Sequence, residues 1–195
     1  SYSGSVPDIF SLAINEDFVI AIAVQSGAQK LSTVISTDKG ETFKSYDIYQ
    51  TGDSLVAPRI FRSAGNTFTL FATSSDGTAF HLKTARSEDG IVWSDFAAFA
   101  ESASFSNAFL PTLQVIPAVA DQDSEKDVVV FQAFYRSGER LSYQLFSTLS
   151  SDKGLTWTQP FFVTQISSGT RTYDQFNNQR PNLLYSNNEL YLAWE

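Results

Sequence analysis

The sequence predicts an all-β chain built from repeated four-stranded antiparallel units, and three observations carry that prediction. A short peptide recurs as Ser36-Thr37-Asp38-Lys39-Gly40-Glu41-Thr42-Phe43, Ser87-Glu88-Asp89-Gly90-Ile91-Val92-Trp93 and Ser150-Ser151-Asp152-Lys153-Gly154-Leu155-Thr156-Trp157. Proline keeps phase with it: Pro7, Pro58 and Pro111 precede the repeated Asp by 38 − 7 = 31, 89 − 58 = 31 and 152 − 111 = 41 residues. No window sustains an apolar period of about 3.6 residues, so almost no helix is expected.

The second unit shows how each repeat divides. Arg59 to Arg62, Thr67 to Thr73, Phe80 to Ser87 and Val92 to Phe96 read as strands, rich in the Val, Ile, Phe and Thr that pleated sheets favour. Ser63-Ala64-Gly65-Asn66, Ser74-Ser75-Asp76-Gly77 and the repeated peptide separate them as turns. The third unit carries an insertion of about ten residues, supplied by Ala118 to Asp127. Pro181 opens a fourth unit that supplies only two strands, Pro181 to Tyr185 and Glu189 to Glu195. Four short strands per unit of fifty-odd residues is the pattern of a propeller blade. The expected fold is therefore an incomplete β-propeller. Its units run over 5–50, 56–100, 109–165 and a half-blade at 179–195, forming one partial propeller over 1–195.

Each repeated peptide joins two strands, with Asp and Gly where a tight turn falls and an aromatic residue opening the next run. An Asp carboxylate bonds nearby backbone N–H groups in such turns, and Gly tolerates positive φ. The pattern Ser-x-Asp-x-Gly-x-Thr-[Phe/Trp] resembles the Asp-box of the sialidase (BNR-repeat) superfamily. The first and third copies match throughout; the second is one residue shorter before Gly90 and has Val92 in place of Thr. The resemblance implies a sialidase-like propeller in which Ser36, Asp38, Gly40, Phe43, Ser87, Asp89, Gly90, Trp93, Ser150, Asp152, Gly154 and Trp157 are structural. It implies six blades, of which this chain encodes about three and a half.

Composition narrows the function classes. The formal net charge is −8, from 13 Lys and Arg against 21 Asp and Glu, so phosphate-backbone binding is disfavoured and no nucleic-acid partner is expected. Zero Cys removes disulfides, thiolate catalysis and Cys-based zinc sites. No apolar run is long enough to span a membrane. With no Met and half a blade at one end, a cut chain is expected, its ring completed by the remaining blades or by a second copy. The abundance of Ser, Thr, Asn and aromatic residues points to an extracytoplasmic protein.

In a four-stranded meander the repeated turns lie on one face of the ring. The opposite face collects Gln25 to Lys30, Asp47 to Ala57, Ser74 to Ala79, Ala97 to Leu110, Tyr135 to Arg140 and Val163 to Arg180, and there the functional candidates fall. Arg59, Arg136, Arg171, Tyr173, Asp174 and Arg180 form a candidate substrate-binding set, because guanidinium groups grip a carboxylate bidentately. Asp76, in the second of these loops between middle strands, occupies the kind of place where the sialidase family's acid/base falls, so the resemblance makes it the candidate catalytic acid; glycoside cleavage needs such a protonating carboxyl. Sialidases use an arginine in the string [Phe/Tyr]-Arg-[Ile/Leu]-Pro and a Tyr/Glu pair. This chain has only Pro58-Arg59-Ile60 and Gln179-Arg180-Pro181, in different order, so those roles are not carried over. His81, the single His, lacks a partner for a metal or triad. Asp121 to Asp127 alternates carboxylates as a calcium loop does, without the Gly and terminal Glu of an EF-hand. No other cofactor is indicated.

The resemblance thus implies a glycan-handling propeller, part of an extracytoplasmic exo-sialidase-type glycoside hydrolase or a non-catalytic relative, with a glycan, sialylated in the family's usual case, as partner. A carbohydrate- or protein-binding platform is the alternative. A third reading is a five-bladed glycosidase propeller, in which stretches like Ser87 to Trp93 also occur. This segment alone, lacking a closed ring, is not expected to be active.

Overall fold

The computed structural model describes residues 9–26, 30–48, 55–75, 80–99, 105–118, 124–137, 140–163 and 179–195. Three four-stranded antiparallel meanders and one two-stranded hairpin follow one another along the chain. The first sheet holds β1 (Ile9–Ile14), β2 (Ile20–Ser26), β3 (Lys30–Ser36) and β4 (Lys44–Asp47). The second holds β5 (Leu55–Ser63), β6 (Thr67–Ser75), β7 (Phe80–Ser87) and β8 (Ala97–Ala98). The third holds β9 (Phe105–Ile116), β10 (Lys126–Ser137), β11 (Arg140–Ser150) and β12 (Phe161–Phe162). The hairpin is β13 (Asn182–Ser186) and β14 (Glu189–Ala193). Among the described residues the only helical piece is a 3-10 turn, Ala64–Asn66.

The first strands of successive sheets lie side by side, β1 on β5, β5 on β9 and β9 on β13. The sheets therefore radiate from a common inner edge, and apolar side chains fill the wedges between them. Ala13, Ala21, Ile35, Ile60, Phe68 and Leu70 close the first wedge. The second is aromatic: Phe99 meets Phe71 at 4.9 Å, Trp157 at 5.0 Å and Phe131 at 5.6 Å, mostly edge to face. Val128, Val130, Leu145 and Leu183 fill the third.

The repeated peptides are the turns between third and fourth strands, and in all three the Ser hydroxyl donates to the Asp carboxylate and accepts the Gly N–H. Ser36 Oγ donates to Asp38 Oδ1 at 2.7 Å and accepts the Gly40 N–H at 2.8 Å. Asp38 in turn accepts the Thr42 N–H at 2.9 Å and the Thr42 hydroxyl at 2.5 Å. Ser150, Asp152, Gly154 and Thr156 repeat the scheme. In the shorter second copy Asp89 accepts the Ile91 and Val92 N–H groups instead, at 2.8 and 3.0 Å. Lys39 and Lys153, the extra residues of the longer copies, take positive φ of 61°. The second and third turns also dock on the preceding sheet. A Cβ on Gly90 would come within 2.8 Å of Ile35 Cδ1, and Thr33 Oγ1 donates to the Gly90 carbonyl at 2.9 Å. Trp93 packs into the first wedge and Trp157 into the second. Phe43, the equivalent residue of the first turn, meets no preceding sheet among the described residues and is 46% exposed; Leu12 and Ile14 of β1 and Phe18 of the β1–β2 turn are exposed as well.

Several strand limits differ from the sequence expectation. The fourth strand of the second sheet is Ala97–Ala98 rather than Val92 to Phe96. Residues 92–96 stay with the turn because Trp93 Nε1 donates to the Gly90 carbonyl and Ser94 exchanges bonds with the Arg86 backbone. Pro58 and Pro111 do not open their strands but sit inside β5 and β9. Both lie at register shifts, between Val56 and Arg59 and opposite the Val130 to Gln132 step. A bulge on an edge strand is where a residue without an N–H is tolerated. Gln25, Tyr135 and Arg136 are strand residues, not loop residues.

Candidate functional site

The inner edge is where the sheets converge, and a cavity of about 350 Å³ opens there. Arg59 and Phe61 of β5, Pro111 and Thr112 of β9, and Arg180, Pro181 and Asn182 at the start of β13 line it. Phase with proline places three of them: Arg59, Thr112 and Asn182 each follow one of the recurring prolines. Leu55 pairs with Ser74 at the far end of the sheet from the repeated turns, so β6 ends where β5 begins.

Strand register makes Ser11, Arg59 and Thr112 equivalent. They pair with Ala23, Phe71 and Val130, each three residues beyond the partner of the turn's Ser. Ser11 Oγ accepts the Ile60 N–H at 3.1 Å, and Thr112 Oγ1 accepts the Leu183 N–H at 3.4 Å, each tying its sheet to the next. The second sheet has an exposed arginine there instead of a hydroxyl.

A second equivalence links Ala57 and Arg180, each preceding a proline. Their φ values are 53° and 52°, although a side chain before proline favours extended backbone. Left-handed backbone costs a side-chain-bearing residue roughly 1–2 kcal/mol. Buried glutamines of the neighbouring sheet accept both N–H groups, Gln25 Oε1 that of Ala57 at 2.9 Å and Gln132 Oε1 that of Arg180 at 3.3 Å. The Arg180 guanidinium lies 2.9 Å from the Glu195 carboxylate, both well exposed.

The carboxylates of the turn face are otherwise engaged. The Thr42 hydroxyl and N–H and the Ser36 hydroxyl hold the Asp38 carboxyl far below the usual range. Burial works against ionisation of Asp89 and Asp152, yet the N–H and hydroxyl donors around each outweigh it and lower both. Asp127 is fully buried, accepting the Ser63 hydroxyl at 2.6 Å and the Ala64 N–H at 2.8 Å, and burial pushes its carboxyl up. It is therefore a strand residue tied to the second sheet, not the end of a solvated acidic run; residues 121–123 lie outside the described residues. A hollow of about 420 Å³ on this face, between Arg86, Asp89 and Leu155, is larger than the axial cavity. Its Asp89 is already committed to backbone.

The structure brings Arg59 and Arg180 together. It places Arg136 near the end of β10, opposite Leu141. Asp76, Arg171, Tyr173 and Asp174 lie outside the described residues. His81 sits within β7 opposite Ser74. Phe61, Thr112, Asn182 and Gln132 were not singled out from sequence; the residue after each proline was the signal for Thr112 and Asn182. Chemically, the cavity offers two cations, a hydroxyl, an amide and an aromatic ring, and no carboxylate among the described lining residues.

No protein-family model and no curated protein matches the chain. Solved structures do. An α-L-arabinanase of Penicillium chrysogenum complexed with arabinobiose superposes with a TM-score of 0.63 at 15% identity, covering 95% of this chain and 56% of that one. An α-L-arabinofuranosidase of Fusarium graminearum in complex with an iminosugar inhibitor gives 0.61 at 16% identity, over 89% and 52%. The fold is a β-propeller. This propeller chain spans about half the length of the structures it matches. Those structures are an arabinanase and an arabinofuranosidase, whereas the turn motif had pointed toward sialidases.

Proposed function

We propose that the chain is part of a glycan-handling propeller of glycoside-hydrolase type whose axial cavity binds an acidic sugar. One observation carries the reading: Arg59 and Arg180, far apart in sequence, line a single cavity at the convergence of the blades. Paired guanidinium groups suit a carboxylate, and Thr112 and Asn182 suit sugar hydroxyls. The Asp-box-like turns and this cationic lining favour a sialic-acid-type substrate. The arabinanase and arabinofuranosidase structures favour a neutral arabinose-containing one.

Cleavage needs a proton donor and a nucleophile or base. In this proposal Asp76 donates the proton, with Tyr173 and Asp174 beside the substrate, in an extracytoplasmic protein. Blades beyond those described cover Phe43, Leu12, Ile14 and Phe18, because apolar faces of this kind on soluble proteins meet partners. Release of fluorophore from a sialoside by the complete ring, with little from an α-L-arabinofuranoside, is the expected result. The reverse preference overturns the acidic-sugar reading. Turnover of neither, together with retained binding on a glycan array, supports the alternative of a binding platform, which the lack of a carboxylate among the described lining residues favours.

A further inference from the structure

The two buried glutamines do the same job at equivalent places in the ring. Gln25 and Gln132 both stand five residues beyond the strand partner of the turn's Ser, Ile20 and Asp127 respectively. Each reaches across a wedge to accept the N–H of the residue before a proline in the next blade, and each such residue has left-handed backbone. The repeat makes this a built device rather than an isolated contact. At Ala57 it presents only a methyl group. At Arg180 the same backbone carries a cationic side chain, on a residue that lines the axial cavity.

We infer that Gln132 is a positioning residue for Arg180: its side-chain carbonyl holds residue 180 in left-handed backbone, and that conformation aims the guanidinium into the cavity. The physical reason is local. Without an acceptor for its N–H, a residue before proline relaxes toward the extended region. That rotation redirects its Cα–Cβ bond and takes the side chain with it. The Glu195 carboxylate, bonded to Arg180, then orients the guanidinium only as far as the backbone permits. The inference rests on the reading of the axial cavity as a binding site, and it adds a residue that touches no ligand.

The test compares Gln132→Met, which keeps side-chain length and removes the acceptor, with Gln25→Met, the same change where the left-handed residue itself, Ala57, carries only a methyl group. Full-length chains are titrated with N-acetylneuraminic acid by NMR, and modification of Arg180 by phenylglyoxal is timed by peptide mass spectrometry. Both variants are expected to melt earlier than wild type. Gln132→Met should weaken sugar binding, by roughly tenfold for a displaced guanidinium, and alter the Arg180 modification rate severalfold, whereas Gln25→Met should leave the Arg180 rate unchanged. Gln132→Glu, which still accepts an N–H, should restore both. Equal effects of the two Met variants, or an unchanged Arg180 rate in Gln132→Met, overturn the inference. If wild type fails to bind the sugar, the acidic-sugar reading falls and the Arg180 rate alone decides the positioning role. Should Gln132→Met not fold, Gln132→Asn, whose amide is withdrawn by one methylene, carries the same expectations.

Discussion

The turn face and the axial face of this propeller use their polar side chains in opposite ways. On the turn face the repeated carboxylates are consumed by the backbone around them, as Asp38, Asp89 and Asp152 each accept two bonds or more. On the axial face Arg59 and Arg180 are exposed to open space at a convergence of strands. The turn face repeats; the axial face departs from its own repeat. Ser11 and Thr112 tie blade to blade, while Arg59 at the same register position does not preserve that hydroxyl. Repetition marks what the fold needs, and Arg59 interrupts it.

Breaking the turn face should cost stability and leave the cavity chemistry alone. Gly90→Ala is the most damaging single change expected. The new Cβ meets Ile35 Cδ1 at 2.8 Å and sits on a residue with φ of 76°. Left-handed strain plus overpacking puts the loss at about 2–4 kcal/mol, read as a lower urea midpoint. A midpoint within error of wild type would show that the turn does not bear on the neighbouring blade.

Asp152→Ala ranks next. It removes the acceptor for the Thr156 N–H and hydroxyl and for Ser150, and because these groups reach water the loss should be about 1–2 kcal/mol. Its pH signature has a definite sign. Asp38, Asp89 and Asp152 all have carboxyls lowered in the folded state, so their stabilisation is present above the ordinary carboxylate range and is lost as pH falls through their lower folded values. Asp127 has the reverse sign: its raised carboxyl stabilises in acid, and that contribution is lost as pH rises through its folded value. Urea midpoints followed from pH 6 to pH 2 should therefore fall less steeply in Asp152→Ala. In Asp127→Asn the loss that Asp127 contributes as pH rises should vanish.

The turn face was legible in sequence because its interactions are local. Ser, Asp, Gly and Thr within eight residues make a complete hydrogen-bonded unit, so the pattern and the structure coincide. The inner strands were harder to read. Proline phase locates them, but a proline inside a bulge, as Pro58 and Pro111 are, and one opening a strand look alike in a single sequence. The cavity depends on register between blades about fifty residues apart, as with Gln132 and the Arg180 N–H, |i−j| = 48. No local pattern encodes that distance. Arg59 and Arg180 were reachable only as cations beside prolines.

The smallest expected effect is the sharpest test of the contrast between the two faces. Ser11 and Thr112 accept the N–H two residues after the next blade's proline, Ile60 after Pro58 and Leu183 after Pro181. By the same phase, a hydroxyl at position 59 would face the Leu113 N–H, two residues after Pro111. Arg59→Ser should therefore gain a blade-to-blade bond worth about 0.5–1 kcal/mol. For a chain of this size that is a rise in Tm of roughly 1–4 °C. The same change removes one of the two cations of the cavity, so binding of an acidic sugar should fall while a neutral sugar is unaffected. A variant that is more stable and less able to bind is the expected outcome, because functional residues commonly occupy positions that stability alone would fill differently. Loss of stability in Arg59→Ser would mean that the arginine is itself part of the structural repeat, and the division between the two faces would fail at this position.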